Sequence, residues 1–423
     1  MEPRKILIIG HNCFSDSGSN GRTLANFFKG YPSDKLAQFY IYNEQPQSDV
    51  CDTYYRITDK EALKSLFSRK YGGEISRKNA NDPAIQIDAM QRKPKKTPFV
   101  YWVREHVWRF GHWRNKRLRA WIDAFSPEVV LLQAGDSAFL FDFARRVSQQ
   151  RGIPLVIYNT ESYYFKDQSF LAASRFSNLW YKILHRYFRK RVGRAIRHAK
   201  QTIYNSDMLR ELYETEFQVP SATVLSSTDL LGTPAVKKTE QMTISYLGNF
   251  GVGRCEGLIE LAGILRSIAP SLTLNVYGNA SPQIEQQFAA TEGICYRGFV
   301  SYADCVRIMK ESTLLVHVES FEAFYLEDSR YAFSTKIADC LASGTCLFVY
   351  APRELTFTDY LNGHGAAAVA SSLDEARELL SKLLDSEGLR QAYARRAMEV
   401  AFENHEMERN RQKFLEALYS NIT

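Results

Sequence analysis

The chain has 423 residues, with 54 Lys and Arg against 47 Asp and Glu, a formal net charge of +7 and 45% hydrophobic residues. That is too long for one ordinary domain and suits two of roughly 200 residues, each able to bury a core. No stretch approaches the ~18 apolar residues of a membrane-spanning helix, the short run after MEPRK is not a signal peptide, and seven scattered cysteines without a C-x-x-C pair argue against a disulfide framework or zinc site and for a reducing cytoplasm.

In chain order, KILIIG at 5–10 is an apolar, β-branched run that reads as a first, fully buried parallel strand. The loop after it, S-D-S-G-S-N-G-R-T, is rich in small residues. Gly18 and Gly21, with Asn20 between them, allow close approach of backbone to a ligand, and Arg22 and Thr23 would sit in the first turn of the following helix. It is not G-x-G-x-x-G, so the dinucleotide fingerprint is absent, and a plain turn is the alternative. Residues 38–42 and 53–57 are strand candidates, and 72–98, polar and broken by Gly and Pro, predicts a surface loop.

Two stretches concentrate the positive charge, 92–119 with Glu105 as its lone acid and 175–200 with none. Both are interleaved with aromatics, including Trp102, Trp108, Trp113, Trp180 and Tyr187. Basic residues with Trp and Tyr at helical spacing are the composition of a helix lying in an anionic membrane surface. The alternative is aromatics packed inward and arginines solvated. No recognition motif accompanies the charge, so no nucleic-acid partner is expected.

Between these stretches, 127–133 reads as a strand, 136–150 as a helix and 154–158 as a strand. This is the doubly wound α/β alternation, in which ligands collect beyond the carboxyl ends of strands. Glu161, just past the last of these, is the candidate base for an acceptor hydroxyl, with a hydrogen-bonded structural role as the alternative. Residues 201–205 and 222–225 close the first domain, taken as 1–230, with a linker at 231–242.

A second domain, 243–400, restarts with TISYL and a turn containing Gly248, Gly251 and Gly253 before Arg254, a cation able to grip phosphate bidentately. Further strands are read at 272–277, 294–297 and 313–318. His317, inside an apolar strand, is read as a core histidine. The segment HVESFEAFYLEDSRYAFSTKIADCLASGTCLFVYAP then gives strand, loop, helix, strand. Ser334 or Thr335 is a natural N-cap. The free N–H groups of that first turn, with Lys336 beside them, suit a phosphate, and Asp339 one turn on could accept from paired sugar hydroxyls. Residues 374–384 and 387–419 are helical.

FSTKIADCLASGTCLFVYAP resembles the donor-binding helix of the retaining glycosyltransferases of family 4, which have the GT-B fold. The resemblance implies two Rossmann-like domains facing a cleft, a nucleotide-diphosphate sugar as donor, no cofactor or metal, and a final helix, 401–423, returning to the first domain. It implies that Ser334, Thr335 and Lys336 contact the diphosphate, that Arg254 with Gly248 and Gly251 forms the second diphosphate contact, and that Asp339 stands where the family has a ribose-binding glutamate. The chain departs from the family pattern at several points. The E-x7-E spacing fails because Tyr331 occupies the earlier position, so Glu322 is the candidate first carboxylate, with 325–331 as an insertion. The family's lysine near Arg254 is missing, and no histidine follows the strand before Glu161.

The function so implied is a metal-independent, retaining transfer of sugar to a glycan or lipid-linked hydroxyl, cytoplasmic or peripheral on the membrane's inner face. A GT-B nucleotide-sugar epimerase and a non-catalytic GT-B scaffold that binds membrane or partner are the competing readings.

Overall fold

Runs such as Ile6–Gly10 and Leu314–Val318 carry no polar alternation and are buried along their whole length. Such strands need cover on both faces, which parallel α/β sheets supply. The computed structural model describes residues 2–15, 19–76, 97–166, 175–233 and 241–422. They form two units, Met1–Val224 with Arg411–Thr423, and Leu225–Asn410. The chain thus passes between units at Val224, ahead of the expected linker at 231–242, and residues 234–240 lie outside the described residues.

The first unit runs β1 (Ile6–Gly10), α1 (Ser19–Phe27), β2 (Leu36–Tyr40), β3 (Thr53–Arg56), α2 (Asp59–Lys64) and β4 (Gly73–Ile75). It continues with α3 (Pro98–Phe110), α4 (Lys116–Phe125), β5 (Val129–Gln133), α5 (Ala138–Arg151), β6 (Leu155–Asn159), α6 (Arg175–His198), β7 (Gln201–Tyr204), α7 (Asp207–Phe217) and β8 (Ser221–Thr223). The sheet order is β4-β3-β2-β1-β5-β6-β7-β8, parallel throughout except for β3 with β4. Strand β4 occupies the start of the expected 72–98 loop, and 77–96 lie outside the described residues. Because β1 leads outward to β2 while β5 leads the other way to β6, the order reverses between β1 and β5. This reversal is the place where doubly wound sheets in general collect their ligands.

The second unit runs β9 (Ile244–Leu247), α8 (Arg254–Ile268), β10 (Leu274–Tyr277), α9 (Pro282–Ala290), β11 (Ile294–Tyr296), α10 (Tyr302–Glu311) and β12 (Leu314–Val318). It then gives α11 (Ala323–Ser329), α12 (Lys336–Ala342), β13 (Cys346–Tyr350), α13 (Thr356–His364), β14 (Ala368–Ala370), α14 (Leu373–Asp385) and α15 (Glu387–Asn404), and the last helix, α16 (Met407–Tyr419), starts in this unit and ends in the first. Its sheet, β11-β10-β9-β12-β13-β14, is wholly parallel and reverses between β9 and β12.

The charged 387–419 stretch is two helices rather than one. Between α15 and α16 the buried His405 hydrogen-bonds the Ser226 carbonyl (2.7 Å) through Nδ1 and Tyr360 (3.0 Å) through Nε2. From Arg411, one turn into α16, the chain belongs to the first unit. Phe414 stacks on Phe27 with ring centroids 4.4 Å apart and meets Phe28 and Tyr158 edge-on, and Leu418 joins the same core.

The basic aromatic stretches divide their aromatics. Trp108, Trp113 and Trp121 are buried, Trp108 stacking on Phe139 and Trp113 on Phe39. Trp102 meets Trp180 between α3 and α6. Phe99, Val103 and Phe110 of α3 and Leu179 and Ile183 of α6 remain exposed. Among the described residues no helix is long and apolar enough to cross a membrane.

Truncating a buried phenylalanine that closes an aromatic cluster costs about 3–5 kcal/mol. Phe414→Ala should therefore lower the unfolding free energy of the first unit by that amount, read from a denaturant melt by tryptophan fluorescence, since Trp102, Trp108, Trp113, Trp121 and Trp180 all lie in that unit.

Candidate functional site

The loops after β9 and β12 meet at the second sheet's point of reversal, and they bring charge to it. Gly253, in the left-handed region at φ +72°, turns the chain into α8 so that Arg254 is the first helical residue. Its guanidinium donates to Glu319 Oε1 (2.8 Å) and to Asn249 Oδ1 (2.5 Å). Glu319, the residue after β12, is only 4% exposed at its side chain, and His317 Nε2 lies 3.3 Å from the same oxygen. Burial disfavours the charge on Glu319, but His317 and Arg254 outweigh it and hold the carboxyl down to about 2. Arg254 is thus fixed by a carboxylate that stays ionised.

Lys336, which opens α12, reaches back to the Leu247 carbonyl (3.0 Å) and lies over the Tyr246 ring, 5.4 Å from its centroid. A Cβ on Gly248 would fall 2.2 Å from the Lys336 ammonium, so that glycine is the space the lysine occupies. Burial, then the nearby Arg254 charge, bring the ammonium down to about 8. An anion beside it would favour the charged form. Nothing lies within 4 Å of a Cβ built on Gly251, so packing does not require a glycine there.

The other predicted residues fall differently. The expected side-chain cap on α12 is not formed: Thr335 holds the cap position in helical conformation without a side-chain bond, and it is the Ser334 carbonyl that accepts from the Ile337 N–H. Asp339 is buried, accepting from Thr228 Oγ1 (2.7 Å) and Tyr302 (3.4 Å), so its bonds run inward to the segment after Leu225 and to α10 rather than outward to a sugar. Glu322 is exposed at the start of α11, and the 325–331 segment expected as an insertion is largely this short helix. The carboxylate beside Arg254 is Glu319, three residues earlier. Its signal in the sequence was its place immediately after a buried strand.

In the first unit, Gly18 lies outside the described residues, and Asn20, Gly21 and Arg22 lie in α1. A Cβ on Gly21 would come within 2.4 Å of the Cys13 carbonyl, so the helix rests directly on the loop after β1. Glu161 pairs with Lys166 (3.5 Å), and its carbonyl accepts from Tyr213 (3.2 Å).

The point of reversal in this sheet holds side chains that the sequence reading passed over. His11, next after β1, places Nε2 2.8 Å from Ser137 Oγ and 3.2 Å from Asp136 Oδ1, both from the loop after β5. Arg104 of α3 donates to Ser137 Oγ (2.6 Å) and to Asp59 (2.8 Å), which also accepts from Trp108 (2.6 Å). Ser137 sits at the cap position of α5, but its hydroxyl accepts from Arg104, donates to Asp136 Oδ1 (3.1 Å) and lies against His11; Glu105 Oε1 serves the helix instead, accepting from the Ala138 N–H (2.8 Å). Although burial opposes its charge, His11 and Arg104 hold Asp136 well below the usual carboxylate range.

Residues 66–226 match the family described as Glycosyltransferase Family 4, and residues 260–416 match one described as Glycosyl transferase-like. The protein is a glycosyltransferase of the GT-B type. Among solved structures, the transferase resembles Anabaena HepE in complex with UDP and glucose, at 13% identity and TM-score 0.62 over 99% of this chain and 100% of that one. It also resembles sucrose-phosphate synthase from Thermosynechococcus elongatus, at 11% identity and TM-score 0.63 over 98% of both chains. WaaG, a glycosyltransferase involved in lipopolysaccharide biosynthesis, aligns at 12% identity and TM-score 0.57 over 98% of this chain and 100% of its own. No curated protein matches the chain. Among the described residues of the transferase, no group of three or more His, Cys, Asp or Glu side chains is placed to hold a metal ion.

Glu105 is almost wholly buried, and burial, opposed by Arg104 and the Ala138 N–H, pushes its carboxyl up to about 8. Between the ordinary carboxylate range and that value, the folded protein holds a proton that the unfolded chain has shed. The stability Glu105 contributes is therefore complete at low pH and drains away as pH rises toward 8, by up to about 1.4 kcal/mol per pH unit. Glu105→Gln, which keeps an oxygen for Ala138, should remove that slope: thermal melts from pH 5 to 9 should show the variant gaining on the wild type as pH rises.

Proposed function

We propose that this transferase moves a sugar from a nucleoside-diphosphate sugar, UDP-linked as in the HepE complexes, to a hydroxyl of a glycan or lipid-linked acceptor. The observation that carries the donor assignment is the pairing of Arg254 and Lys336 at the reversal point of the second sheet. A departing diphosphate gathers negative charge, and donors fixed in advance stabilise it without reorganising. Arg254 is fixed by Glu319 and Asn249, and Lys336 by Leu247 and the gap at Gly248. Two cations so placed do the work that a divalent ion does elsewhere, and we assign the reaction to them without a metal. The resemblance of residues 333–352 to retaining enzymes supports retention at the anomeric carbon.

A charge-assisted contact contributes about 1.5–3 kcal/mol. Arg254→Ala and Lys336→Ala should each weaken UDP binding roughly 10- to 100-fold, measured by calorimetry. Gly248→Ala should do the same by expelling the Lys336 ammonium. Transfer should continue in EDTA, with the anomer of the product, read by proton NMR, matching the donor. Unchanged UDP affinity in all three variants would remove the donor assignment.

The acceptor side of the proposal includes reversible attachment to an anionic membrane. Phe99, Val103 and Phe110 with Leu179 and Ile183 expose an apolar ridge across α3 and α6. Along α6, Lys182, Arg186, Arg189, Lys190, Arg194 and Arg197 line a groove of about 740 Å³. Each cation near such a surface contributes about 1 kcal/mol, so the set suffices for reversible binding. The protein should sediment with phosphatidylserine vesicles at low salt and less so at high salt. Replacing Phe99 and Phe110 by Ser, or Arg186 and Lys190 by Glu, should release it. Failure to sediment at low salt would end the membrane assignment.

A further inference from the structure

Contacts that stabilise a departing diphosphate also retain it once the sugar has gone, and in many enzymes the escape of product sets the turnover rate. A site made of an arginine and a lysine alone would hold a spent nucleotide tightly. This one carries a third charge, the carboxylate of Glu319, and its surroundings make that charge count.

The Glu319 side chain is 4% exposed, and Oε1 accepts from Arg254 at 2.8 Å. The other oxygen, Oε2, is buried and has no hydrogen-bond partner. Water therefore does not screen the carboxylate, and its field reaches its neighbours at a low effective dielectric. The Lys336 ammonium feels that field together with the Arg254 charge. His317, with Nε2 3.3 Å from Oε1, adds nothing to the balance: burial lowers the imidazole below its ordinary value, so it is neutral at neutral pH. The charges acting on one another here are Arg254 and Lys336 against Glu319, which leaves one net positive charge to meet a diphosphate that carries more negative charge than that.

Holding Arg254 in place does not call for a negative charge. Asn249 Oδ1 already accepts from the same guanidinium at 2.5 Å, and a neutral amide oxygen at position 319 would serve as the second acceptor. An ionised carboxylate is costlier to bury than an amide, and it subtracts from the attraction that the two cations exert on an anion. The excess of charge over what orientation needs is the feature that calls for a function.

We infer that Glu319 is a charge-balancing residue, which weakens the grip of Arg254 and Lys336 on the diphosphate so that the spent nucleotide leaves between turnovers. The inference rests on the donor reading of this site. Glu319 bonds to Arg254 rather than to the ligand, so it is a positioning residue whose charge, beyond its hydrogen bond, sets the rate of release.

Two substitutions that keep the hydrogen bonds and change only the charge test this. Glu319→Gln retains an acceptor for Arg254 and removes the negative charge. By calorimetry it should bind UDP about tenfold more tightly than the wild type, and the fluorescent analogue mant-UDP, chased with excess UDP in stopped flow, should leave more slowly by a similar factor. Asn249→Asp is the converse, adding a negative charge at an exposed contact of the same arginine. It should bind UDP several-fold more weakly and release mant-UDP faster, and it decides the matter even where Glu319→Gln fails to fold. In steady-state transfer, Glu319→Gln should lower kcat and donor KM together, the pattern of slowed release, whereas loss of a mere orienting contact would lower kcat with KM unchanged or raised. A folded Glu319→Gln protein that binds UDP no more tightly than the wild type, or an Asn249→Asp protein that binds it no more weakly, would overturn the inference. A wild type that binds no UDP would instead overturn the donor reading, so the two failures are distinct.

Discussion

A parallel sheet that is wound outward in both directions from its middle must open between two adjacent strands, because the chain leaving one turns away from the chain leaving the other. Among the described residues, the Arg254–Glu319 and His11–Asp136 clusters are assembled at those two openings. Backbone amides and side chains there have lost the neighbours that a continuous row of crossovers would provide, and polar residues fill the gap. In the second unit the gap is closed by the buried Arg254–Glu319 pair, which is costly to desolvate and is retained where an arginine must be held ready. In the first, the His11, Asp136, Ser137 and Arg104 set does the equivalent work with less net positive charge.

Glycines set the dimensions of both sites. At Gly248 the missing side chain is the lodging of the Lys336 ammonium, and at Gly135 it is the bed of the His11 ring. Neither residue touches a ligand in this reading. Each matters because of what it lets a neighbour do, a role that its own chemistry does not advertise. The glycines that looked most like phosphate-binding elements in the sequence divide unevenly: Gly253 is required for the turn, while Gly251 faces open space.

The sequence was most informative where chemistry and neighbours lie close along the chain. Buried strands such as Ile6–Gly10 and Val129–Gln133 announced themselves by uninterrupted apolar runs, and Arg254 and Lys336 stood at recognisable helix starts. What stayed hidden depended on partners far away in the chain. Asp339 looked like a ligand-facing carboxylate from its place one turn into the helix; its hydroxyl partner, Thr228, is 111 residues off. Glu319 was passed over for Glu322 because the choice followed a carboxylate spacing rather than the end of the strand, which the apolar pattern places correctly at Val318. His11 and Asp136 become neighbours only through the order of the strands, which apolar patterning does not encode. The tryptophans of 97–121 showed a helical rhythm but not a direction, and the interior claimed most of them.

The last turns of the polypeptide carry a consequence for how the protein is made. Phe414 and Leu418 sit among Phe27, Phe28 and Tyr158, so the core to which Phe27 and Phe28 belong stays incomplete until residues 414–418 are made. On the ribosome, the amino-terminal half emerges first yet waits with an open aromatic socket while the other half, whose own core needs nothing after Asn410, can close ahead of it. Birth order and maturation order are thereby inverted, and the nascent first unit is the part with most to gain from a chaperone's cover.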